Sequence, residues 1–258
     1  MKKIGLVGGT GPESTLMYYK EINSRIDEMT GNKAMPDIAI ESVNFRKAWN
    51  MVVAEDYEAL ADYLSEKINF LKKSGSEVIS LTAVTMHIVF DLIQEKTGVS
   101  LISIPMAVCN EVKRHNYKKI GLLGTIFTME QDYMKKDFEQ AGIEVIVPNE
   151  ENRRLVAKRI LEELEVGIVN ENTLKEFNEI IDNMKTEHVY CSLCYLKICN
   201  IHALSVNLSI LLFIFLVCVN IFPRFFILLG FSQCPSFTIF LIIVIYNSFD
   251  DVSVKYRP

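Results

Sequence analysis

The amino-acid sequence changes character near His188, and this break limits how much of the chain can form one soluble fold. Residues 1–188 contain glycine-rich turns, amphipathic stretches and charges of both signs at regular spacing. From residue 189 to residue 249, only Lys197 and Arg224 carry a formal charge. Long uncharged apolar segments are typical of membrane spans rather than of soluble domains. We therefore expect the first part and the tail to differ in structure.

Short apolar runs alternate with helical patterns along residues 1–188. The predicted strands are residues 3–7, 38–43, 77–81, 101–104, 120–123 and 145–147. The predicted helices are residues 13–29, 56–73, 86–96, 106–115, 129–141, 151–165 and 171–185. Strands that alternate with helices of this length predict an α/β fold with parallel sheets flanked by helices and joined by right-handed crossovers.

An internal repeat divides this α/β part. Residues 3–10, Lys-Ile-Gly-Leu-Val-Gly-Gly-Thr, resemble residues 119–125, Lys-Ile-Gly-Leu-Leu-Gly-Thr. Each unit is a buried strand that ends in glycine and threonine and precedes a helix. Two such units predict two similar lobes, residues 1–104 and residues 105–188. Both threonine turns then lie at carboxyl ends of strands, where open α/β sheets bind their ligands.

The loop at residues 8–15, Gly-Gly-Thr-Gly-Pro-Glu-Ser-Thr, predicts an anion site. Backbone N–H groups at the start of a helix attract negative charge. The run does not fit G-x-G-x-x-G, and Pro12 removes one donor, so a dinucleotide is not the predicted ligand. A tight turn accounts for the glycines but not for the hydroxyls beside them. A carboxylate or another small anion is therefore expected.

The charge distribution excludes a nucleic-acid partner. The chain has a net charge of −5, and its basic pairs, such as Lys118-Lys119 and Arg153-Arg154, are short and isolated. A nucleic-acid surface needs a clustered basic face.

The apolar run after Met1 is too short for a signal peptide. We expect the first part to be cytoplasmic.

Several motifs together resemble the aspartate/glutamate racemase family. They are residues 3–15, Tyr18-Tyr19, Ile22-Asn23, Ser42-Val43-Asn44-Phe45, Thr85-Met86-His87, and residues 121–125 followed by Thr128-Met129-Glu130-Gln131. The resemblance is continuous from residue 2 to about residue 186. It implies an amino-acid racemase of two α/β lobes that needs no pyridoxal phosphate or other cofactor and forms a homodimer. We expect no metal site.

The resemblance also implies a mechanism and a set of site residues. Two acid/base residues, usually cysteines, face the α-carbon of the substrate from opposite sides. One removes the α-proton while the other delivers a proton to the opposite face, and a thiol with a pKa of about 8.5 suits this task. The implied substrate-binding residues are Thr10, Gly11, Asn44, Ala83, Val84, Thr85, Thr125 and Thr128.

The first departure from the family pattern lies at the position of the first thiol. Aligned on Thr85 and His87, this position is Ala83, which cannot transfer a proton. Thr82 and His87 are the remaining candidate catalytic residues in this segment. A hydroxyl is a poor base without activation. A histidine one turn into a helix is more often a structural hydrogen-bonding group.

The second departure lies just after His188. The family has a strand there, followed by Gly-Cys-Thr-Glu with the second thiol, and this chain has no such segment. Cys191 and Cys194 lie near the expected place, but without the glycine and threonine of the motif. A metal or redox role for this Cys-x-x-Cys pair would need further ligands, and no second pair follows.

The tail, residues 189–258, does not match the family. We interpret it as the product of a frameshift near codon 188, in which case the second lobe is truncated and loses its last strand. The alternative is a membrane hairpin of residues 203–222 and 225–246, each about as long as a bilayer span. Only in that case would the membrane be a partner.

The leading interpretation is an amino-acid racemase of the aspartate/glutamate type, with a small amino acid as its substrate. The alternatives are an inactive protein that binds an amino acid or a dicarboxylic acid, and a membrane-anchored variant. The sequence does not identify the substrate side chain. Arg46, beside the second strand, is a candidate partner for a side-chain carboxylate, but a surface position is equally compatible with its place in the sequence.

Overall fold

The computed structural model describes residues 1–185 and 191–194. The frameshift and hairpin interpretations therefore fall, apart from those four residues, outside the described part of the chain. The first lobe contains a parallel sheet of four strands in the order β2-β1-β3-β4. The strands are β1 (Ile4–Gly8), β2 (Ile38–Ser42), β3 (Val78–Leu81) and β4 (Leu101–Ile102).

Helices cover both faces of the first sheet, so its central strands are buried on both sides. Every residue of β1 and β3 is buried. On one face, Ile4 and Leu6 pack against the helix that follows β1, while Val7 faces the opposite cluster. The helices of this lobe are α1 (Pro12–Met29), α2 (Phe45–Val53), α3 (Tyr57–Lys73) and α4 (Phe90–Thr97), with a 3-10 helix at Thr85–Val89.

The second lobe repeats the arrangement with a parallel sheet of three described strands in the order β6-β5-β7. The strands are β5 (Lys119–Leu123), β6 (Glu144–Ile146) and β7 (Cys191–Cys194). The helices are α5 (Ile104–Arg114), α6 (Ile126–Glu130), α7 (Lys136–Gln140), α8 (Glu150–Glu162) and α9 (Glu171–Lys185). Two 3-10 helices, Asp132–Met134 and Leu164–Val166, lie between them.

The predicted loss of the last strand of the second lobe is wrong. Strand β7 pairs in parallel with β5, with Ile120 opposite Cys191 and Leu123 opposite Cys194. Strand β5 has the apolar character of a central strand and is buried from its second residue onward. The described sheet therefore has β5 between two parallel neighbours, as β1 is in the first lobe.

Two helical segments differ from the sequence prediction. Helix α2 was not predicted, because it buries only Ala48 and Val52, a stripe too short to give a clear helical period. The predicted helix at residues 129–141 is instead broken into α6, a 3-10 turn and α7. The break lies at Gln131, whose backbone is extended. Within the described residues, no helix is both long and apolar enough to cross a membrane.

Candidate active site between the lobes

The glycine-rich loop after β1 follows a path that glycine alone adopts easily. Gly9 has a φ of 80° and Gly11 a φ of 115°. The N–H of Gly9 donates a hydrogen bond to Thr15 Oγ1 at 2.9 Å, which ties the loop to the first turn of α1. Helix α1 starts at Pro12, whose missing N–H would have no helical partner. The loop therefore presents the N-terminus of α1 at the carboxyl end of the first sheet.

Substitution of Gly9 by alanine is expected to destabilise the protein by about 2 kcal/mol or more. A Cβ at Gly9 would lie 2.5 Å from the carbonyl oxygen of Val43, so the backbone of one segment would have to move. Gly75→Ala is the matched control, since Gly75 has a φ of 86° but no atom within 4 Å of such a Cβ. Urea unfolding of both variants measures the difference, and equal losses would show that the close approach does not matter.

Thr10 is buried, and its hydroxyl has no hydrogen-bond partner among the described residues. The residue is 3% exposed, and Thr10 Oγ1 has no hydrogen-bond partner among residues 1–185 and 191–194. Buried polar groups are nearly always paired, because an unpaired one costs about 1–3 kcal/mol. An unpaired hydroxyl at a helix N-terminus therefore points to a ligand with a hydrogen-bonding group.

A narrow cleft lies beside Thr10, between the two lobes. It is lined by Thr10, Phe45, Trp49, Ala83, Thr85, Met86, Thr125, Leu161 and Glu165. Six of these residues come from the first lobe and three from the second. The enclosed space has room for about one water molecule, so an amino acid would need a wider cleft than the one described.

Hydroxyl groups join the two lobes at the floor of this cleft. Thr85 Oγ1 of the first lobe lies 3.0 Å from Thr125 Oγ1 of the second. Thr125 is also 3.1 Å from Thr128 Oγ1, which lies 2.9 Å from the hydroxyl of Tyr133. Burial raises the pKa of Tyr133 above its ordinary value, which keeps its hydroxyl neutral. The structure thus brings Thr85, Thr125 and Thr128, three of the predicted binding residues, into one network.

Thr82 is held away from this network by structural hydrogen bonds. It is completely buried, and its hydroxyl donates to the carbonyl oxygen of Val7 at 3.2 Å. Thr82 Oγ1 is also 3.2 Å from Thr15 Oγ1, behind the glycine-rich loop. Thr82 is not among the residues that line the cleft. These contacts favour a structural role for Thr82, which ties β3 to β1 and α1.

His87 is likewise engaged at both ring nitrogens. Nε2 accepts a hydrogen bond from the N–H of Ile104 at 3.2 Å, so Nδ1 carries the proton and donates to the carbonyl oxygen of Ala83 at 3.2 Å. The ring stacks on Phe90, with 5.1 Å between centroids. Burial lowers the pKa of His87 to about 4. A neutral histidine with both nitrogens occupied positions the chain around Ala83 and has no free nitrogen to act as a base.

The remaining predicted residues lie in different surroundings. Ala83 is 4% exposed and lines the cleft, whereas Val84 packs into the core of the second lobe. Gly11 is the N-cap of α1. The Asn44 side chain accepts a hydrogen bond from the N–H of Lys47 at 3.1 Å and so caps α2 instead of facing the cleft. Arg46 is exposed on α2 and is not among the lining residues.

Glu165 is the cleft residue that sequence reasoning missed. It is only 7% exposed and lies in the 3-10 turn that follows α8. Two bonds to the carbonyl oxygen of Glu163, from Val166 N–H at 3.1 Å and Ile168 N–H at 2.9 Å, hold this turn. The sequence pattern merged Glu165 into the helix 151–165. The feature that could have indicated a separate turn is Gly167, which ends the 3-10 turn with a φ of 76°.

Strand register locates the counterpart of Ala83 in the second lobe. Leu81 lies opposite Val7 in the first sheet, and Cys194 lies opposite Leu123 in the second. Because Val7 and Leu123 occupy equivalent places in the repeat, Cys194 corresponds to Leu81. The described part of β7 ends at Cys194, so the counterpart of Ala83 lies outside the described residues. Among the described residues there is no cluster of three or more metal-ligating side chains.

Comparison with known proteins shows the family to which this two-lobed chain belongs. Residues 7–191 match the Asp/Glu/Hydantoin racemase family. The chain belongs to this family. The predicted family resemblance is therefore confirmed.

Relatives in sequence and structure agree with this assignment. The broad specificity amino-acid racemase RacX of Bacillus subtilis is 25% identical over 146 residues, 55% of this chain. The chain spans only 63% of the length of that relative. A provisionally named Asp/Glu racemase from Yersinia pestis is 35% identical, with a TM-score of 0.68, over 74% of this chain and 84% of that one. The predicted α/β fold class is confirmed.

A second solved structure gives the same result. An aspartate racemase homologue from Pyrococcus horikoshii is 34% identical, with a TM-score of 0.64. The similarity covers 76% of this chain and 86% of that protein. Its extent places the family fold on the part of the chain that forms both lobes.

Proposed function

We propose that this chain binds a small α-amino acid between its lobes and interconverts its L and D forms by cofactor-independent proton transfer at the α-carbon. The observation that carries the proposal is the buried, unpaired hydroxyl of Thr10 in a cleft of the racemase family fold. Proton transfer on the side of Ala83 has no side-chain base, so we expect this chain to turn over slowly.

The α-carboxylate is assigned to the glycine-rich loop. The start of α1 supplies backbone N–H groups and the positive end of the helix dipole. The Thr10 hydroxyl supplies a donor that the described protein leaves unused. A carboxylate bound there is stabilised most when charge develops on it, which occurs as the α-proton leaves.

The hydroxyls of Thr85 and Thr125 are assigned to the other polar groups of the substrate. In the closed cleft they lie 3.0 Å apart and bond to each other. When the lobes separate, each loses this partner and can bond to a ligand that enters between them. The mutual bond therefore joins the two hydroxyls that we assign to substrate contacts.

The face of the substrate next to Ala83 lacks an acid/base side chain. A methyl group lines the cleft there, and the neighbouring Thr82 hydroxyl and His87 ring are engaged in hydrogen bonds. Water, for which the cleft has room, is the proton carrier available on this side. A positioned side-chain base accelerates such a step by about 10²–10⁴-fold, and we expect this chain to lack that acceleration on the side of Ala83.

A second candidate function is amino-acid binding without turnover. Ala83, which lines the cleft in place of the expected thiol, favours it. Loss of the α-proton signal in D2O separates the two functions, because exchange requires proton transfer and binding does not. Exchange above the rate of free amino acid supports the racemase, and saturable binding with no exchange supports the second candidate.

The role of Thr10 gives a direct test of the binding site. Thr10→Val keeps the shape of the side chain and removes the hydroxyl, and we expect it to weaken amino-acid binding by about tenfold. Thr10→Ser keeps the hydroxyl and is expected to bind within about twofold of the parent. Isothermal titration measures both. If the two variants bind equally well, Thr10 does not contact the ligand.

The family assignment also supports three further parts of the proposal. We propose that the protein needs no pyridoxal phosphate, that it forms a homodimer, and that it acts in the cytoplasm. Light scattering during gel filtration of the full chain measures the oligomeric state. A monomer at micromolar concentration would contradict the proposed dimer.

A further inference from the structure

We propose that Tyr133 is a positioning residue, which holds the Thr85 hydroxyl of the opposite lobe so that Thr85 and Thr125 meet the substrate as one hydrogen-bond donor and one acceptor. This inference rests on the proposed function, because it concerns the same cleft. Tyr133 is not among the lining residues that the structure describes, and it acts through the two threonines. Its basis is a closed set of hydrogen bonds between four hydroxyl groups.

Tyr133 contacts hydroxyl groups from both lobes. Its own hydroxyl lies 2.9 Å from Thr128 Oγ1 in the second lobe. It also has a hydrogen bond to Thr85 of the first lobe, and the two bonds partly offset the rise of the Tyr133 pKa that burial causes. Since this pKa stays above its ordinary value, the phenol keeps its proton at neutral pH and can donate it.

The bond between Tyr133 and Thr85 closes the four hydroxyls into a ring. The other sides of this ring are Thr85 to Thr125 at 3.0 Å and Thr125 to Thr128 at 3.1 Å. Each hydroxyl carries one proton, so in a closed ring each one donates once and accepts once. Every proton of the ring is therefore directed at a neighbour, in either sense of donation around it.

An amino acid that separates Thr85 from Thr125 opens the ring on one side only. The other three bonds keep their direction, so one of these two threonines is left with a free proton and the other with a free lone pair. A zwitterionic amino acid matches this pair, because its carboxylate accepts hydrogen bonds and its ammonium donates them. Without the Tyr133 hydroxyl, Thr85 has no fixed neighbour after the ring opens, and its proton loses its direction.

Packing of the aromatic ring is the alternative role for Tyr133. The side chain packs against the buried residues of the second lobe around Val108 and Phe138. Phenylalanine preserves this packing and removes only the hydroxyl. Tyr133→Phe therefore tests the hydrogen bonds of the phenol and leaves its apolar contacts in place.

A double-mutant cycle on binding by the full chain separates positioning from packing. L and D forms of alanine, leucine, aspartate and glutamate are titrated by calorimetry, and the amino acid that binds the parent chain most tightly serves as the probe. We expect Tyr133→Phe to weaken its binding by about fivefold, the effect of about one hydrogen bond. In the Thr85→Val background, the same change should weaken binding by less than about twofold.

Three further variants complete the cycle. Thr85→Ser keeps the hydroxyl, so Tyr133→Phe should again weaken binding by about fivefold in that background. Tyr19→Phe removes a phenol hydroxyl from α1, where Tyr19 is 49% exposed, and should bind within about twofold of the parent chain. Thr128→Val opens the same ring at the next hydroxyl, so it replaces Tyr133→Phe in the cycle if that variant does not fold.

The outcomes separate this inference from the proposed function. If the parent chain binds none of the amino acids, the proposed function fails and the inference fails with it. If the parent chain binds but Tyr133→Phe binds equally well, only the inference is overturned. An equal loss in the Thr85→Val background also overturns it, because the phenol would then not act through Thr85. A loss that requires the Thr85 hydroxyl supports the positioning role.

Discussion

Replacement of Ala83 by cysteine is expected to accelerate exchange of the substrate α-proton by at least about 100-fold. The Ala83 methyl group lines the cleft, so a thiol built on it would face a bound amino acid. With an ordinary pKa of about 8.5, the thiol is partly ionised near pH 8 and can remove the proton. The measurement is loss of the α-proton NMR signal in D2O.

The stereochemistry of this exchange makes the prediction sharper. The thiolate at position 83 takes the α-proton, and the thiol that results exchanges with D2O and returns a deuteron to the same face of the carbanion. One added base therefore acts on one face. We expect Ala83→Cys to exchange deuterium into one enantiomer much faster than into the other, and to exchange faster than it racemises. Equal exchange of both enantiomers would contradict this one-sided geometry.

Ala83→Ser is the control for the thiol. Serine has nearly the same size as cysteine, but its hydroxyl is a poor base unless another group activates it. The two groups near position 83 that could do so, Thr82 and His87, already bond to Val7 and Ile104. We therefore expect no gain from serine. A gain equal to that of cysteine would mean that a base near Ala83 is free after all.

The fold could be predicted largely from local sequence signals. The buried strands of the first sheet are mainly apolar, and β1 and β5 share the same short motif. Their turns contain glycines that the backbone requires. Such signals depend on neighbouring residues only, so they can be read without knowing what packs against them.

The composition of the cleft could not be predicted in this way. Glu165 lies at the end of a helical pattern and faces the cleft only because a 3-10 turn redirects the chain there. Trp49 lies on a helix whose buried stripe is two residues long. Both depend on how the second lobe packs on the first, which no single segment specifies. Motif resemblance found Thr85 and Thr125, whose contact crosses the same interface.

His87 was predicted as a catalytic candidate, and its surroundings predict instead a strong effect on stability. Its pKa is lowered to about 4 in the folded protein by burial, from about 6.5 in the unfolded chain. The unfolded state therefore binds more protons between these values. The stabilisation is fully present above pH 6.5 and is lost as the pH falls towards 4. The whole shift corresponds to about 3 kcal/mol of unfolding free energy.

We predict that His87 alone causes a measurable part of the pH dependence of the unfolding free energy. Between pH 5 and pH 6, urea unfolding of the parent chain should lose about 1 kcal/mol from His87 alone. His87→Gln should lack this part of the slope, whatever its absolute stability, because glutamine does not titrate. His115→Gln should keep it, since His115 is the C-cap of α5 and its ring pairs with Glu111 at 3.1 Å. If His87→Gln and the parent chain have the same slope, the ring accepts a proton in the folded state. A catalytic role for His87 would then regain support, because Nε2 would no longer be committed to the N–H of Ile104.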